Sequence, residues 1–155
     1  KYLATGRMTR VRRGVYRLVH FPVSEHEDLV VLWLWAGQVG VFSHETALAL
    51  HDLSDALPGK VHMTVPSDWR RRRLRVPTGL VLHFADLGDG DLASYSAVPV
   101  TAPLRTLRDG IEAEVAADLV RQGILQARRR GMVSAKDEAR LLAELGRRGR
   151  TAAAR

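Results

Sequence analysis

"KVHMTVPSDWRRRRLRVPTGLVLHFADL", residues 60 to 87, contains two short apolar segments separated by an arginine run. In the first, Val61, Met63 and Val65 alternate with His62 and Thr64, the two-residue period of a strand with one apolar face. The second, "GLVLHFADL" at residues 79–87, is rich in the aliphatic and aromatic side chains that suit a pleated surface. Between them "RRRRLR", Arg70 to Arg75, follows Trp69 and precedes Pro77. It reads as a loop or strand edge with Leu74 and Val76 turned inward. A third strand is expected over "SYSAVPVT", residues 94–101.

Helices flank these strands. In "FPVSEHEDLVVLWLWAG", Ser24 followed three residues later by Glu27 has capping-box spacing, and the helix it opens is expected to close at Gly37. The apolar run Leu29–Ala36 covers nearly every side of that helix, which places it centrally. Ser43 reads as the N-cap of a second helix, "HETALALHDL", with Ala47, Leu48, Leu50 and His51 on one side. Beyond the strands, Thr101 is expected to cap a helix carrying Pro103 in its first turn. Val115, Ala116, Leu119, Val120, Ile124 and Ala127 recur at helical spacing in the next, which Gly131 stops. Ser134 with Asp137 opens the last helix, with a face of Ala139, Leu142 and Leu145, and the tail "GRRGRTAAAR" is expected to fray. This order is that of an α+β domain whose mainly antiparallel sheet packs on helices and whose C-terminus is helical.

Upstream, "RMTRVRRGVYRL" at residues 7–18 reads as a basic β-hairpin turning at Arg12-Arg13-Gly14. Met8, Val11, Val15 and Leu18 do not share one strict register, which predicts a bulge near the turn. "KYLATG" before it reads as the last turn of a helix closed by Gly6. A helix end followed by a basic ribbon is the tail of a winged helix-turn-helix, in which the ribbon lies along phosphates while the preceding helix reads the major groove. Residues 1–20 are therefore expected to be the C-terminal part of such a domain, its first helices lying upstream of Lys1. Residues 21–150 would form a second domain, and 151–155 a frayed tail.

Charge points the same way. The 155 residues carry a net charge of +7, unevenly spread. Residues 1–20 hold Lys1, Arg7, Arg10, Arg12, Arg13 and Arg17 with no acid, whereas residues 24–59 hold acids and no lysine or arginine. Such a balance favours an anionic partner, nucleic acid above all. The absence of cysteine excludes disulfides, thiolate catalysis and thiolate zinc sites, and fits a reducing, cytoplasmic setting. No apolar run approaches the ~20 residues of a membrane span, so no membrane partner is expected.

Motifs for chemistry are missing. His44 and His51 stand seven apart, two turns along one helical side, instead of the i, i+4 spacing of helical zinc sites. His26 lies among carboxylates that serve the helix dipole, and His62 and His83 fall on strands with no carboxylate at a fixed offset. Asp86, Asp89 and Asp91 lack the downstream glutamate of a calcium loop and read as a turn. No Gly-x-Ser-x-Gly, Walker or dinucleotide fingerprint occurs, and three lysines do not supply a nuclease site. No catalytic residue, metal or cofactor is expected, and the protein is not expected to be an enzyme.

"RVRRGVYRL", "SEHEDLVVLWLWAGQVGVFSHETALALHDLSDALPGKVHMTVP" and "VPVTAPLRTLRDGI" together resemble the AbiEi family of antitoxins, from bacterial AbiE-type toxin–antitoxin systems, over about residues 3–130. The most specific segments are "FSHETALALHDLSD", "VHMTVP" and "PVTAPLRTL". The middle segment is also similar to the front part of bacterial proteins that carry a very-short-patch-repair-like nuclease domain. The resemblance implies a winged helix that binds operator DNA at its own promoter and represses it, followed by a domain that neutralises a nucleotidyltransferase-like toxin. It places the DNA-binding wing on Arg10, Arg12, Arg13, Gly14, Tyr16 and Arg17, with Lys1 and Arg7 beside it. Arg70, Arg71, Arg72, Arg73 and Arg75 form a second basic patch, directed at DNA, at an acidic toxin surface, or at blunting a sheet edge. Operator binding leaves room for a homodimer matched to paired half-sites. Two other classes stay open: a protein-interaction domain with no DNA function, and a degenerate nuclease relative.

Overall fold

The computed structural model describes residues 8–12, 15–18, 27–55 and 58–153. A ribbon of β1 (Met8–Arg12) and β2 (Val15–Leu18) comes first. Then follow α1 (Glu27–Trp35), β3 (Val41–Phe42), α2 (His44–Leu50), β4 (Val61–Val65), β5 (Leu80–Phe84), β6 (Leu92–Tyr95) and β7 (Val98–Thr101). The last three elements are α3 (Pro103–Glu112), α4 (Ala117–Arg129) and α5 (Ala135–Ala153). The architecture is α+β with a helical C-terminal part.

The main sheet is mixed, not mainly antiparallel. Its order is β5-β4-β3-β7-β6, with β4 parallel to β5, β3 parallel to β7, and the β3–β4 and β6–β7 pairs antiparallel. Parallel neighbours need a link of a dozen or more residues, and residues 66–79 provide one between β4 and β5 without an α-helix. The single strand expected over 94–101 is a hairpin. Ser96 takes a φ of 52° and folds Tyr95 back against Val98, the positive φ that two-residue hairpin turns require. The two-residue β3 was not anticipated; it is too short to show a period, yet it holds the centre of the sheet.

Two apolar clusters stabilise the fold. Leu29, Leu32 and Ala36 pack with Phe42, Met63, Val65, Val98 and Val100 of the sheet. Leu48 and Leu53 pack with Leu107, Ile111, Val120 and Ile124, and with Leu141 and Leu145 of α5. Close approach of α4 depends on Gly123, where a Cβ would stand 3.1 Å from Leu107 Cδ2 and 3.3 Å from the Leu53 carbonyl oxygen. Contrary to the expectation of a central helix, α1 has an exposed side: Asp28 and Leu34 face solvent. Ser24 lies outside the described residues.

Several helix ends also differ from expectation. Ser43 occupies the N-cap position of α2 but its hydroxyl makes no capping bond. The N-cap of α3 is Ala102, with Pro103 first in the helix, while Thr101 completes β7. The Thr106 hydroxyl donates to the carbonyls of Thr101 (3.0 Å) and Ala102 (2.9 Å), and the ring Nε2–H of His51 donates to Thr101 O at 2.7 Å. One buried strand end thereby fixes both α2 and α3. At α5 the predicted box forms: the Ser134 and Asp137 side chains accept each other's backbone N–H at 3.0 and 3.1 Å. Gly131 ends the segment before it with a φ of 73°. The buried face of α5 is Leu141 and Leu145, with Ala139 exposed. Arg148 donates to the carbonyls of Gly110 and Ile111 at 3.3 and 3.1 Å, adding to the backbone bonds these two carbonyls accept from Val115 and Glu114. With that anchor the helix runs on through the segment expected to fray, as far as Ala153.

Candidate functional site

Three polar features stand out, and the basic ribbon is the first. Its strands pair antiparallel, Met8 with Leu18, Thr9 with Arg17, Arg10 with Tyr16 and Arg12 with Val15, and the register shifts between Arg10 and Arg12. The predicted bulge is therefore present, placing Arg10, Arg12 and Arg17 on one short ribbon. Lys1, Arg7, Arg13 and Gly14, also expected at the wing, lie outside the described residues.

The second feature is the link between β4 and β5. It begins with a 3-10 turn, Ser67–Arg71, which buries Trp69. Ser67 donates its backbone N–H to Asp86 Oδ1 (3.0 Å) and its hydroxyl to Oδ2 (2.6 Å), tying the turn to the chain just after β5. These bonds hold the Asp86 carboxyl below its usual range. Arg72 lies 4.4 Å above the Trp69 ring and Arg70 lies 5.4 Å above Phe84. Arg70, Arg71, Arg72, Arg73 and Arg75 are all exposed, and among the described residues none of them is ion-paired to an acid. Leu74 packs against the sheet cluster as expected. Val76, expected inward, is 42% exposed, because the segment is turn and coil with no ladder partner to impose alternation.

The third feature is a histidine cluster. Parallel register sets His83 beside Thr64, on the face of the β4–β5 pair that also carries His62. His62 Nδ1 and His83 Nε2 are 3.0 Å apart, one ring donating to the other. His44, the first residue of α2, stacks on His83 with centroids 3.6 Å apart and planes inclined by 14°. Its Nδ1 is 2.8 Å from Ser43 Oγ, which accepts the Thr64 hydroxyl at 2.7 Å. His44 holds a φ of 56°. A non-glycine residue in that region carries a strain on the order of 1–3 kcal/mol, of the kind that accumulates at functional sites. Burial pushes His44 down to about 3, with the charges of His83, His62 and Arg105 adding to the effect. Burial and then His62 push His83 down to about 4. His62 is also lowered, mainly by burial. At neutral pH all three rings are uncharged.

Beside the stack opens a cleft of about 370 Å³ between β5 and α3, whose walls include His44, His83, Arg70, Phe84, Arg105 and Asp109. Asp109, 5% exposed, accepts Arg105 Nε–H at Oδ1 (2.9 Å), while Oδ2 has no partner among the described residues. Burial raises the carboxyl of Asp109, and Arg105 pulls it back down in part. Arg105 also approaches Asp91 at 3.5 Å, and Asp91 Oδ2 accepts the Gly88 N–H, so the acidic segment at 86–91 forms a turn. Among the described residues no group of histidine and acid side chains is arranged to hold a metal ion, and no helix is long and apolar enough to cross a membrane. No family model and no curated protein matches the chain.

Sequence reasoning assigned His44, His62 and His83 singly to core or surface. Structure brings the three together from α2, β4 and β5, with Asp109 and Arg105 added from α3. The alternation of the two strands was the available signal, since it gives each strand a histidine off the core face. Pairing those histidines required the parallel register.

Proposed function

We propose that this protein is a DNA-binding regulator that serves as the antitoxin of a bacterial toxin–antitoxin pair, and that it acts by binding and not by catalysis. The observation that carries the reading is the bulged basic ribbon, with Arg10, Arg12 and Arg17 on paired strands ahead of the α+β domain. Arginine on a two-stranded ribbon suits phosphate oxygens, because each planar guanidinium offers paired donors and releases counterions on contact. The resemblance to AbiEi antitoxins supports the regulatory role, repression of its own promoter, and supports the domain beyond the ribbon as the part directed at a nucleotidyltransferase-like toxin.

Titration of this chain, and of a version extended at its N-terminus, against duplex from the promoter of its own gene at several salt concentrations tests the reading. Contacts from Arg10, Arg12, Arg13 and Arg17 would give a log K against log[salt] slope of about −3.6, and Arg12→Ala/Arg13→Ala would reduce it to about −1.8. Specific binding by the extended version with that change in slope upholds the proposal. Failure of both versions to bind duplex overturns the DNA role and leaves the basic surfaces to a protein partner.

A further inference from the structure

The cleft between β5 and α3 combines features that packing alone does not require. His44 is buried and held at positive φ against the face of His83. Asp109 is buried with one carboxylate oxygen unpartnered, a costly arrangement unless something donates to it. Across the cleft the Arg70 guanidinium has no acidic partner among the described residues and is held over Phe84, while Leu82 and Ala85 add apolar wall. A ligand that satisfies both walls has an N–H donor for Asp109 and an anionic group for Arg70. On the α3 side the Arg105 guanidinium is already taken up by Asp109 and Asp91, and with Glu112 beside them that wall disfavours an anionic end, so the two ends are told apart. The uncharged imidazoles leave the middle of the cleft without net charge, which suits a planar, neutral ring.

We propose that this cleft binds a nucleotide, with its phosphate on Arg70 and an amino or imino N–H of its base on the Asp109 carboxylate. The same chemistry is offered by a free mononucleotide and by an unpaired nucleotide of a strand. Neither source depends on the ribbon, so the inference stands or falls separately from the proposed regulatory role. The volume, about 370 Å³, falls in the range of small-molecule sites.

Calorimetric titration of the full chain with AMP, GMP, CMP and inorganic phosphate tests it, followed by a short single-stranded oligonucleotide. At least one mononucleotide should bind at a single site at least tenfold more tightly than inorganic phosphate. Arg70→Ala should weaken that binding at least tenfold, Asp109→Asn should weaken it comparably, and Arg73→Ala, outside the cleft, should leave it unchanged. Arg70 is exposed, so its variant folds and decides the matter even if Asp109→Asn does not. Tighter binding of the oligonucleotide than of any mononucleotide, with the same Arg70 dependence, assigns the site to a strand, and the reverse assigns it to the free nucleotide. The proposal is overturned if no mononucleotide binds at millimolar concentration, if phosphate alone binds equally well, or if Arg73→Ala weakens binding as much as Arg70→Ala.

Discussion

The arginine link between β4 and β5 and the histidine stack behind it meet at Arg70, yet they treat positive charge in opposite ways. In the link, charge is permanent, exposed and without an ion-paired acid among the described residues, and two guanidiniums are steadied on aromatic rings. In the stack, side chains that could carry charge are buried or half-buried, layered on one another and held neutral. An anion approaching this face therefore meets a field to which the histidines add no charge through the neutral range. The histidines contribute shape and ring nitrogens.

Acid should break this contrast first, and with the largest effect. The folded values of His44 and His83, about 3 and about 4, lie below the ordinary 6.5. As pH falls through 6.5 the unfolded chain takes up protons that the folded chain refuses, so stability is complete above that value and declines towards the folded values. Each such histidine costs roughly 1.4 kcal/mol per pH unit in this window. With an allowance for the partly exposed His83, about 3 kcal/mol should disappear between pH 7 and pH 5. Asp109, raised by burial, works in the opposite direction. Urea melts at several pH values check this, and His83→Phe should flatten the decline; an unchanged slope would mean that His83 takes up its proton as readily in the fold as in the unfolded chain.

A smaller effect should come from the hydroxyl chain that orients His44. Thr64→Val removes the donor to Ser43 in a buried setting and should cost about 1–2 kcal/mol by thermal melting at pH 7. Smaller again is Arg72→Ala, which gives up the Trp69 stack and should cost about 0.5–1 kcal/mol. At the end of the series, Arg71→Ala/Arg73→Ala/Arg75→Ala should leave stability within about 0.5 kcal/mol per site at any salt concentration, because among the described residues no acid is ion-paired to these side chains. A larger loss would show that the link stabilises the fold as well as carrying charge.

Features encoded by contiguous residues were legible in the sequence. The ribbon and its bulge follow from the mismatched spacing of Met8, Val11, Val15 and Leu18, and the box at the start of α5 follows from Ser134 and Asp137. Errors arose where partners are distant. Strand direction in the sheet depends on how residues 66–79 route the chain, which local period does not record. Ser43 and Thr101 looked like caps, but the Ser43 hydroxyl accepts that of Thr64, and the Thr101 carbonyl accepts the ring N–H of His51. The cleft was illegible for the same reason: its walls come from α2, β5 and α3, and no spacing along the chain joins His44, His83 and Asp109.

The two-residue β3 joins a parallel pair on one side to a hairpin on the other. In amide hydrogen exchange the sheet should therefore behave as two panels joined by a narrow seam, each able to stay closed while the other opens. His62 and His83 both belong to the β4–β5 panel, whereas α3, which carries Asp109, follows directly from β7 in the other. Opening at Val41 and Phe42 would draw the walls of the cleft apart without unfolding either panel.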